Sequence, residues 1–203
     1  MMHPDTELKW ISSKIGYGVV ATKLIPKGTI TWVQDDLDRV FEPDAPHKLK
    51  VDSREMLEKY SFRNHKGEHI LCWDLAKYVN HSFKSNCLST SYNFELAVRD
   101  IQVGEELTDD YGYLNLTESF TPEDEGTERK EVHPDDILRC HEAWDQKLKD
   151  IFPVISQVDQ PLISLLSRSV KEKIEEINAG SRKMKSTKKL YFRPRKKRIR
   201  LQD

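Results

Sequence analysis

The chain has 203 residues and a formal net charge of −1 at pH 7, with 37% hydrophobic and 33% charged residues. This length suits one core domain with an appended segment rather than two large domains. The composition is that of a globular protein on the polar side, so part of the chain is expected to lie outside the core. The balanced net charge does not indicate a partner, because acidic residues cluster at 123–136 and basic ones at 182–200.

The cysteines and the absence of apolar runs indicate the cellular compartment of the protein. Cys72, Cys87 and Cys140 are odd in number and widely spaced, which predicts no disulfide framework and a reducing compartment. Residues 1–10 lack the apolar region of a secretory signal, and no apolar run is long enough to span a bilayer. We therefore expect a soluble intracellular protein without membrane contact, in the nucleus of a eukaryote or in the cytoplasm otherwise. The sequence leaves the oligomeric state open.

Residues 3–116 are predicted to form one domain of short strands separated by turns. Runs rich in branched and aromatic residues, with alternation in places, lie at 19–22, 29–33, 94–98 and 106–108. Turns are expected at Pro26-Lys27-Gly28 and at Gly104. A helix is expected at about 52–60, with Met56, Leu57 and Tyr60 on one face.

The chain changes character after residue 116. Residues 117–132 are acidic and without periodicity, which indicates a linker. Residues 133–180 are predicted to be helical, because apolar residues recur at helical spacing from Ile137 to Ile151 after Pro134.

A second helix is expected to begin at Pro161 and to stop at Gly180, and both apolar stripes are expected to pack. Residues 181–203 are rich in Lys, Arg, Ser and Thr and cannot bury enough apolar surface to fold alone. They are therefore predicted to form a basic disordered tail. We thus expect an α+β protein, mainly β with a helical C-terminal part.

Two local patterns stand out as weak signals on their own. In Gly16-Tyr17-Gly18 the glycines allow a close approach of the backbone to a ligand, although such a pattern is more often only a turn. Asn80-His81-Ser82 follows Tyr78-Val79, and polar groups of this kind need hydrogen-bond partners if they are buried. This second segment is either a satisfied turn or a contact for a ligand or metal.

A third pattern runs from residue 97 to residue 112. It reads as a strand, a turn at Gly104 and a second short strand that ends on Tyr111 beside Gly112. This layout could present the phenol of Tyr111 to a cavity.

Together and in this order, the three patterns resemble the SET-domain family over residues 3–116. The residues that carry the resemblance are Gly16-Tyr17-Gly18, Asn80-His81-Ser82 with Asn86-Cys87, and Gly104-Glu105-Glu106-Leu107-Thr108 with Asp110-Tyr111-Gly112. The resemblance implies a β-clip of several small sheets, followed here by α-helices. It also implies a pseudoknot, in which the segment 106–111 passes through the loop that contains Asn80 and His81.

The resemblance implies a protein-lysine N-methyltransferase that uses S-adenosylmethionine. Tyr111 would be the catalytic residue, lining the channel where the lysine amine meets the methyl group. The residues implied to line the cofactor are Gly16, Tyr17, Gly18, Tyr60, Asn80, His81, Tyr111 and Phe120. The substrate would be a lysine side chain of a protein, such as a histone or another DNA-associated protein.

The sequence departs from the family at two places. Many members carry a cysteine-rich post-SET segment that joins an upstream cysteine on zinc, but residues 119–126 contain no cysteine and Cys87 stands alone. One thiolate cannot make a four-coordinate zinc site, so no metal is expected. Asp109 lies where an aromatic residue often limits the number of methyl groups added, which leaves the product open.

The basic run at 182–200 is typical of contact with nucleic acid or chromatin, of an acidic protein face or of nuclear import, and also of a solvated tail. Two alternatives to an enzyme therefore stay open. One is a pseudoenzyme of the same fold that binds cofactor or peptide, which the missing post-SET cysteines favour. The other is a nucleic-acid-binding adaptor that acts through its basic tail.

Overall fold

The computed structural model describes residues 1–193, and these form ten short strands and four α-helices. The strands are β1 (Thr6–Ser12), β2 (Gly16–Ala21), β3 (Ile30–Val33), β4 (Arg39–Phe41), β5 (Ser61–Arg63), β6 (His69–Leu71), β7 (Asn80–His81), β8 (Cys87–Ser89), β9 (Phe94–Ala97) and β10 (Glu106–Asp109). The helices are α1 (Ala45–Lys48), α2 (Val51–Tyr60), α3 (Asp136–Ile151) and α4 (Arg168–Asn178). Short 3-10 helices lie at Leu75–Tyr78, Tyr111–Tyr113, Phe152–Gln157, Ile163–Leu165 and Thr187–Leu190. The predicted mixture of small sheets and C-terminal helices is confirmed.

One sheet brings distant parts of the sequence together, in the strand order β1-β2-β10-β7. Strand β10 pairs antiparallel with β2, where Leu107 lies opposite Val19. On its other edge β10 pairs in parallel with β7, where Asp109 lies opposite His81. Because both edges of β10 are paired, the end of β2, the Asn80–His81 segment and the residues after β10 are held close to one another.

The other two sheets have the orders β3-β9-β8 and β4-β6-β5. In the first, Ile30, Phe94 and Leu96 are fully buried. All four residues of β9 are buried, so this strand has no solvent face and its alternating sequence does not report exposure. A strand covered on both faces is expected where helices pack on the sheet.

Helix α3 provides that cover and confirms the helix expected after Pro134. Its buried face carries Ile137, Trp144, Leu148 and Ile151, which recur at helical spacing and join the core cluster that contains Phe94. Burying one such aliphatic side chain contributes about 1.5–3 kcal/mol. The helical segment is therefore part of the same hydrophobic core as the β3-β9-β8 sheet.

The second predicted helix begins later than expected. Pro161 does not start it; the chain first forms the 3-10 helix Ile163–Leu165, and α4 begins at Arg168. The side chain of Ser167 accepts a hydrogen bond from the amide of Val170, which is the geometry of an N-cap. The start of the helix is thus set by this capping serine rather than by the proline.

The expectation of disorder after residue 181 differs from the structure for the part that is described. Thr187 is fully buried, and its hydroxyl donates to Asp145 Oδ1 at 2.8 Å. Asn115 donates to the carbonyl of Leu190 and accepts from the amide of Phe192, both at 2.8 Å. These long-range polar contacts hold residues in place that are expected to be disordered on the basis of composition alone. Residues 194–203, which contain the last part of the basic run, lie outside the described residues.

Between residues 1 and 193 there is no helix with the length and apolar character needed to cross a membrane.

Candidate active site

The side-chain amide of Asn80 joins three segments that are far apart in sequence. Its Nδ2 donates to the carbonyl oxygen of Tyr17 at 3.0 Å and to Glu106 Oε1 at 2.7 Å. Tyr17 belongs to β2 and Glu106 to β10, while Asn80 begins β7. One amide therefore fixes the glycine segment, the polar loop and the last strand relative to one another.

The two glycines of β2 lack a side chain for different structural reasons. Gly16 has a φ of +87°, and no atom lies within 4 Å of where a Cβ would stand, so its backbone borders open space. At Gly18 a Cβ would lie 2.2 Å from Glu106 Oε1 and 2.8 Å from Ile11 Cγ1. A side chain at position 18 would therefore displace the carboxylate that holds Asn80.

Asn86 attaches the polar loop to the backbone of β10. Its Oδ1 accepts from the amide of Thr108 at 2.8 Å, and its Nδ2 donates to the carbonyl of Glu106 at 2.7 Å. Because Asn86 is 1% exposed, these bonds take the place of hydrogen bonds to water. They connect the loop to β10 in addition to the β7–β10 pairing. Asn86 thus has a structural part in the motif.

His81 presents a buried nitrogen that the protein itself does not satisfy. The amide of Tyr111 donates to Nδ1 at 3.1 Å, which assigns the proton of the neutral ring to Nε2. Burial is the main cause that lowers the pKa of His81, so the ring is neutral at pH 7. Within residues 1–193 Nε2 has no hydrogen-bond partner, and a buried donor of this kind fits an acceptor atom of a ligand.

Aromatic rings surround His81. Its ring centroid lies 4.6 Å from that of Phe83 and 5.4 Å from those of Tyr111 and Phe120. Phe120 is held there by a backbone bridge to Val132, within the acidic linker. The unsatisfied nitrogen therefore lies among apolar rings, an environment suited to a flat heterocycle.

The hydroxyl of Tyr111 has one fixed partner, the carbonyl oxygen of Val79, to which it donates at 2.6 Å. Burial raises the pKa of the phenol, and the negative charges of Asp109 and Glu106 raise it further. Tyr111 therefore stays protonated at neutral pH. Its oxygen can orient an incoming group through its lone pairs, whereas a phenolate base would require the charge that this environment disfavours.

A cavity of about 180 Å³ adjoins Tyr111 on the side of β9 and the residues after α2. Tyr60, Val79 and Tyr111 line it, together with the buried Glu95, Asp109 and Tyr113. Tyr111 therefore contacts His81 and Phe120 with one part of its ring and borders this cavity with another.

The structure places the eight predicted cofactor residues in two groups. The hydrogen bonds and ring contacts above bring Gly16, Tyr17, Gly18, Asn80, His81, Tyr111 and Phe120 into one region. Tyr60 lies apart, on the side of the cavity, where its ring packs 5.5 Å from Tyr78, which in turn lies 6.5 Å from Tyr17. Tyr60 reaches the glycine segment only through Tyr78.

Arg129 is a residue of the site that sequence reasoning missed. Its guanidinium forms ion pairs with Asp110, beside Tyr111, and with Asp136 Oδ2, at 2.6 Å to the latter. Trp144 Nε1 also donates to Asp110 Oδ2, at 3.2 Å. Arg129 thereby fastens the segment of Tyr111 to the start of α3. The available signal was a basic pair, Arg129 and Lys130, within an acidic stretch.

The cysteines of the described residues are free, and Cys72 and Cys87 are buried. Burial raises the pKa of the Cys87 thiol far above its usual range, which disfavours the thiolate that would bind a metal. Residues 1–193 contain no group of three or more His, Cys, Asp or Glu side chains placed to hold a metal ion.

One known protein family matches the part of the chain that carries the three motifs. Residues 16–112 match the family model of the SET domain. Residues 16–112 therefore form a SET domain, and they contain the glycine segment, Asn80, His81 and Tyr111. SET domains are in general protein lysine methyltransferases. No curated protein matches the chain.

Proposed function

We propose that this protein transfers methyl groups from S-adenosylmethionine to lysine side chains of a protein substrate. The observation that carries the proposal is the position of Tyr111. Its ring contacts His81, whose Nε2 is unsatisfied, and also borders the cavity of about 180 Å³. A residue at such a junction can contact both a cofactor and a side chain that enters from the cavity.

The residues present fit S-adenosylmethionine. The unsatisfied Nε2 of His81, among the rings of Phe83 and Phe120, suits the adenine ring. The open backbone at Gly16 and the adjoining Tyr17, fixed by Asn80, suit the polar remainder of the molecule. When bound, the cofactor supplies an electrophilic methyl group on a sulfonium.

The part of Tyr111 in the reaction is to orient the amine. Because its hydroxyl donates its proton to Val79, the lone pairs of the oxygen remain free to accept an N–H of the amine. A fixed acceptor of this kind aligns the nitrogen for an in-line displacement, in which positioning supplies much of the rate. With the cofactor bound, the same oxygen would also disperse positive charge near the reacting methyl group.

The amine must lose a proton before it attacks, since a free lysine has a pKa near ~10.4. Burial and a nearby sulfonium disfavour the ammonium form, whereas an ionised carboxyl on the cavity wall favours it. The raised pKa of Tyr111 argues against its phenolate as the base. Loss of this proton is therefore governed by desolvation and by the acids of the cavity wall, Glu95 and Asp109.

We further infer that the C-terminal helices replace the missing post-SET segment. Phe120 lies against His81, and Arg129 joins the segment of Tyr111 to α3. Both residues belong to the linker 117–132, and their contacts support the proposal that this linker and α3 together cover the site. The pairing of β10 with β2 on one edge and β7 on the other supports the pseudoknot that the family resemblance implies.

The test is methyl transfer by the purified full-length protein. The protein is incubated with S-adenosylmethionine and a mixture of histones and lysate proteins, and methylated lysines are identified by mass spectrometry. Tyr111→Phe is expected to lower the rate by about 100-fold, because it removes the oxygen that orients the amine and disperses charge.

The matched control is Tyr92→Phe, which removes another buried hydroxyl, one that accepts from the amide of Lys185 outside the site. This variant should retain activity within a few-fold of the wild type. A Tyr111→Phe variant as active as Tyr92→Phe would contradict the assignment of Tyr111. Cofactor binding with no methylated lysine would instead favour a pseudoenzyme.

A further inference from the structure

Two buried carboxyl groups lie on the wall of the cavity beside Tyr111. Glu95 on β9 is 8% exposed, and Asp109 at the end of β10 is 6% exposed. Both line the cavity. A buried pair of acids at such a place is unusual, because ionised carboxyls are rarely buried without a cationic partner.

Each carboxyl influences the ionisation of the other. Burial is the main cause that raises the pKa of each, to about 6 for Asp109 and well above the usual range for Glu95, and each carboxyl acts on the other. A negative charge on one of them therefore disfavours ionisation of the second.

The protein compensates this charge poorly. Ser89 donates to Glu95 Oε1 at 2.8 Å, and the neighbouring hydroxyl of Tyr113 lowers the pKa of Asp109, but within residues 1–193 Asp109 Oδ1 has no hydrogen bond of ordinary geometry. Tyr113 is 2% exposed and lines the same cavity. The basic residues that line the same cavity are engaged elsewhere. The guanidinium of Arg63 donates to the carbonyls of Asn115 and Leu116, and the ammonium groups of Lys59 and Lys77 lie over the rings of Tyr60 and Tyr78. A cation that entered the cavity would supply the missing compensation.

We propose that the Glu95–Asp109 pair binds the ammonium group of the substrate side chain and thereby selects a cationic alkyl group over a neutral one. The inference rests on the proposed function, since the cavity is where Tyr111 would meet the substrate amine. Glu95 and Asp109 are then specificity-determining residues of this chain.

The alternative is that the two carboxyls only stabilise the fold by their mutual contact. That alternative predicts no preference of the cavity for a cation. The two readings therefore differ in a binding measurement that needs neither cofactor nor methyl transfer, so a failure here is distinct from a failure of the proposed function.

The experiment titrates the full-length protein with n-butylammonium chloride and with 1-butanol, a neutral molecule of the same size, at neutral pH. Amide chemical shifts are followed by NMR. We expect n-butylammonium, and not 1-butanol, to shift the amides of Ser89, Glu95, Asp109 and Tyr113 in a saturable manner. The double variant Glu95→Gln/Asp109→Asn should weaken this binding by about tenfold or more, the usual effect of losing a charged hydrogen bond.

A control with the same change of charge is Glu175→Gln/Asp150→Asn, at exposed positions of α4 and α3. It should bind n-butylammonium within about twofold of the wild type, because these positions are exposed and screened. Equal shifts by 1-butanol, or no shift by n-butylammonium, would overturn the proposal on the wild-type protein alone. Unchanged binding by the cavity double variant would also overturn it.

Discussion

Asp109 is buried, can carry a negative charge and lies at the candidate active site. It ends β10, lies opposite His81 in the parallel pairing and borders the cavity. The groups that act on its pKa, beyond its burial, are Tyr113, Glu95 and Asp110. A carboxyl held in this way destabilises the fold when it ionises.

This cost gives a prediction for stability against pH. The pKa of Asp109 is raised from 3.8 to about 6 on folding, so the folded protein binds more protons between these values and loses stability as the pH rises through them. Asp109→Asn removes that loss. The variant is compared with the wild type by its free energy of unfolding. Its advantage over the wild type should be roughly 1 kcal/mol larger at about pH 8 than at about pH 5.

Urea denaturation at the two pH values measures this difference. Asp36→Asn, at an exposed position, is the control and should change stability equally at both. The assignment of a raised pKa to Asp109 would be wrong if Asp109→Asn gained more stability at the acidic pH.

At the scale of elements, the linker 117–132 and helix α3 hold the site from outside the β-sheets. Arg129 bridges Asp110, which is 3% exposed, and Asp136, which is 2% exposed, and its guanidinium lies 4.7 Å from the ring centroid of Phe83. The neighbouring Lys130 pairs instead with Asp124 at the surface. Two adjacent basic residues thus have very different surroundings.

Removing Arg129 should therefore be far more costly than removing Lys130. Arg129→Ala leaves two buried carboxylates without their partner, which typically costs about 3 kcal/mol or more. Lys130→Ala breaks an exposed ion pair worth at most about 1 kcal/mol. Chemical denaturation of both variants measures the contrast, and equal stabilities would refute the role given to Arg129.

Arg129→Ala should also reduce cofactor affinity, because Asp110 precedes Tyr111 and its position depends on this contact.

For the whole molecule, the sequence predicts the domain, the convergence of its three motifs and the helix after Pro134. The convergence follows from resemblance alone, because periodicity does not reveal that β10 pairs with both β2 and β7. Glu95 could not be found, since an acid in an alternating strand indicates a solvent face, whereas β9 is buried on both sides. Composition likewise hides the contact of Thr187 with Asp145.

These misses share a physical cause. Local patterns report propensity and amphipathicity. The distant partners are β3, with which Glu95 pairs through its strand, Asp110 for Arg129, and Asp145 for Thr187. The predicted site residues come from short motifs, so the sequence identifies them. The groups that support or modify the site lie outside those motifs.

The central claim is that residues of β2, β7 and β10 form one site for S-adenosylmethionine, and calorimetric titration of the full-length protein with this molecule tests it most directly. We predict binding at one site. Asn80→Ala, which removes the bonds to Tyr17 and Glu106, should weaken it by about tenfold or more. Asn178→Ala, at the end of α4, should bind as the wild type does. No binding by the wild type, or equal affinity in the Asn80→Ala variant, would contradict the claim.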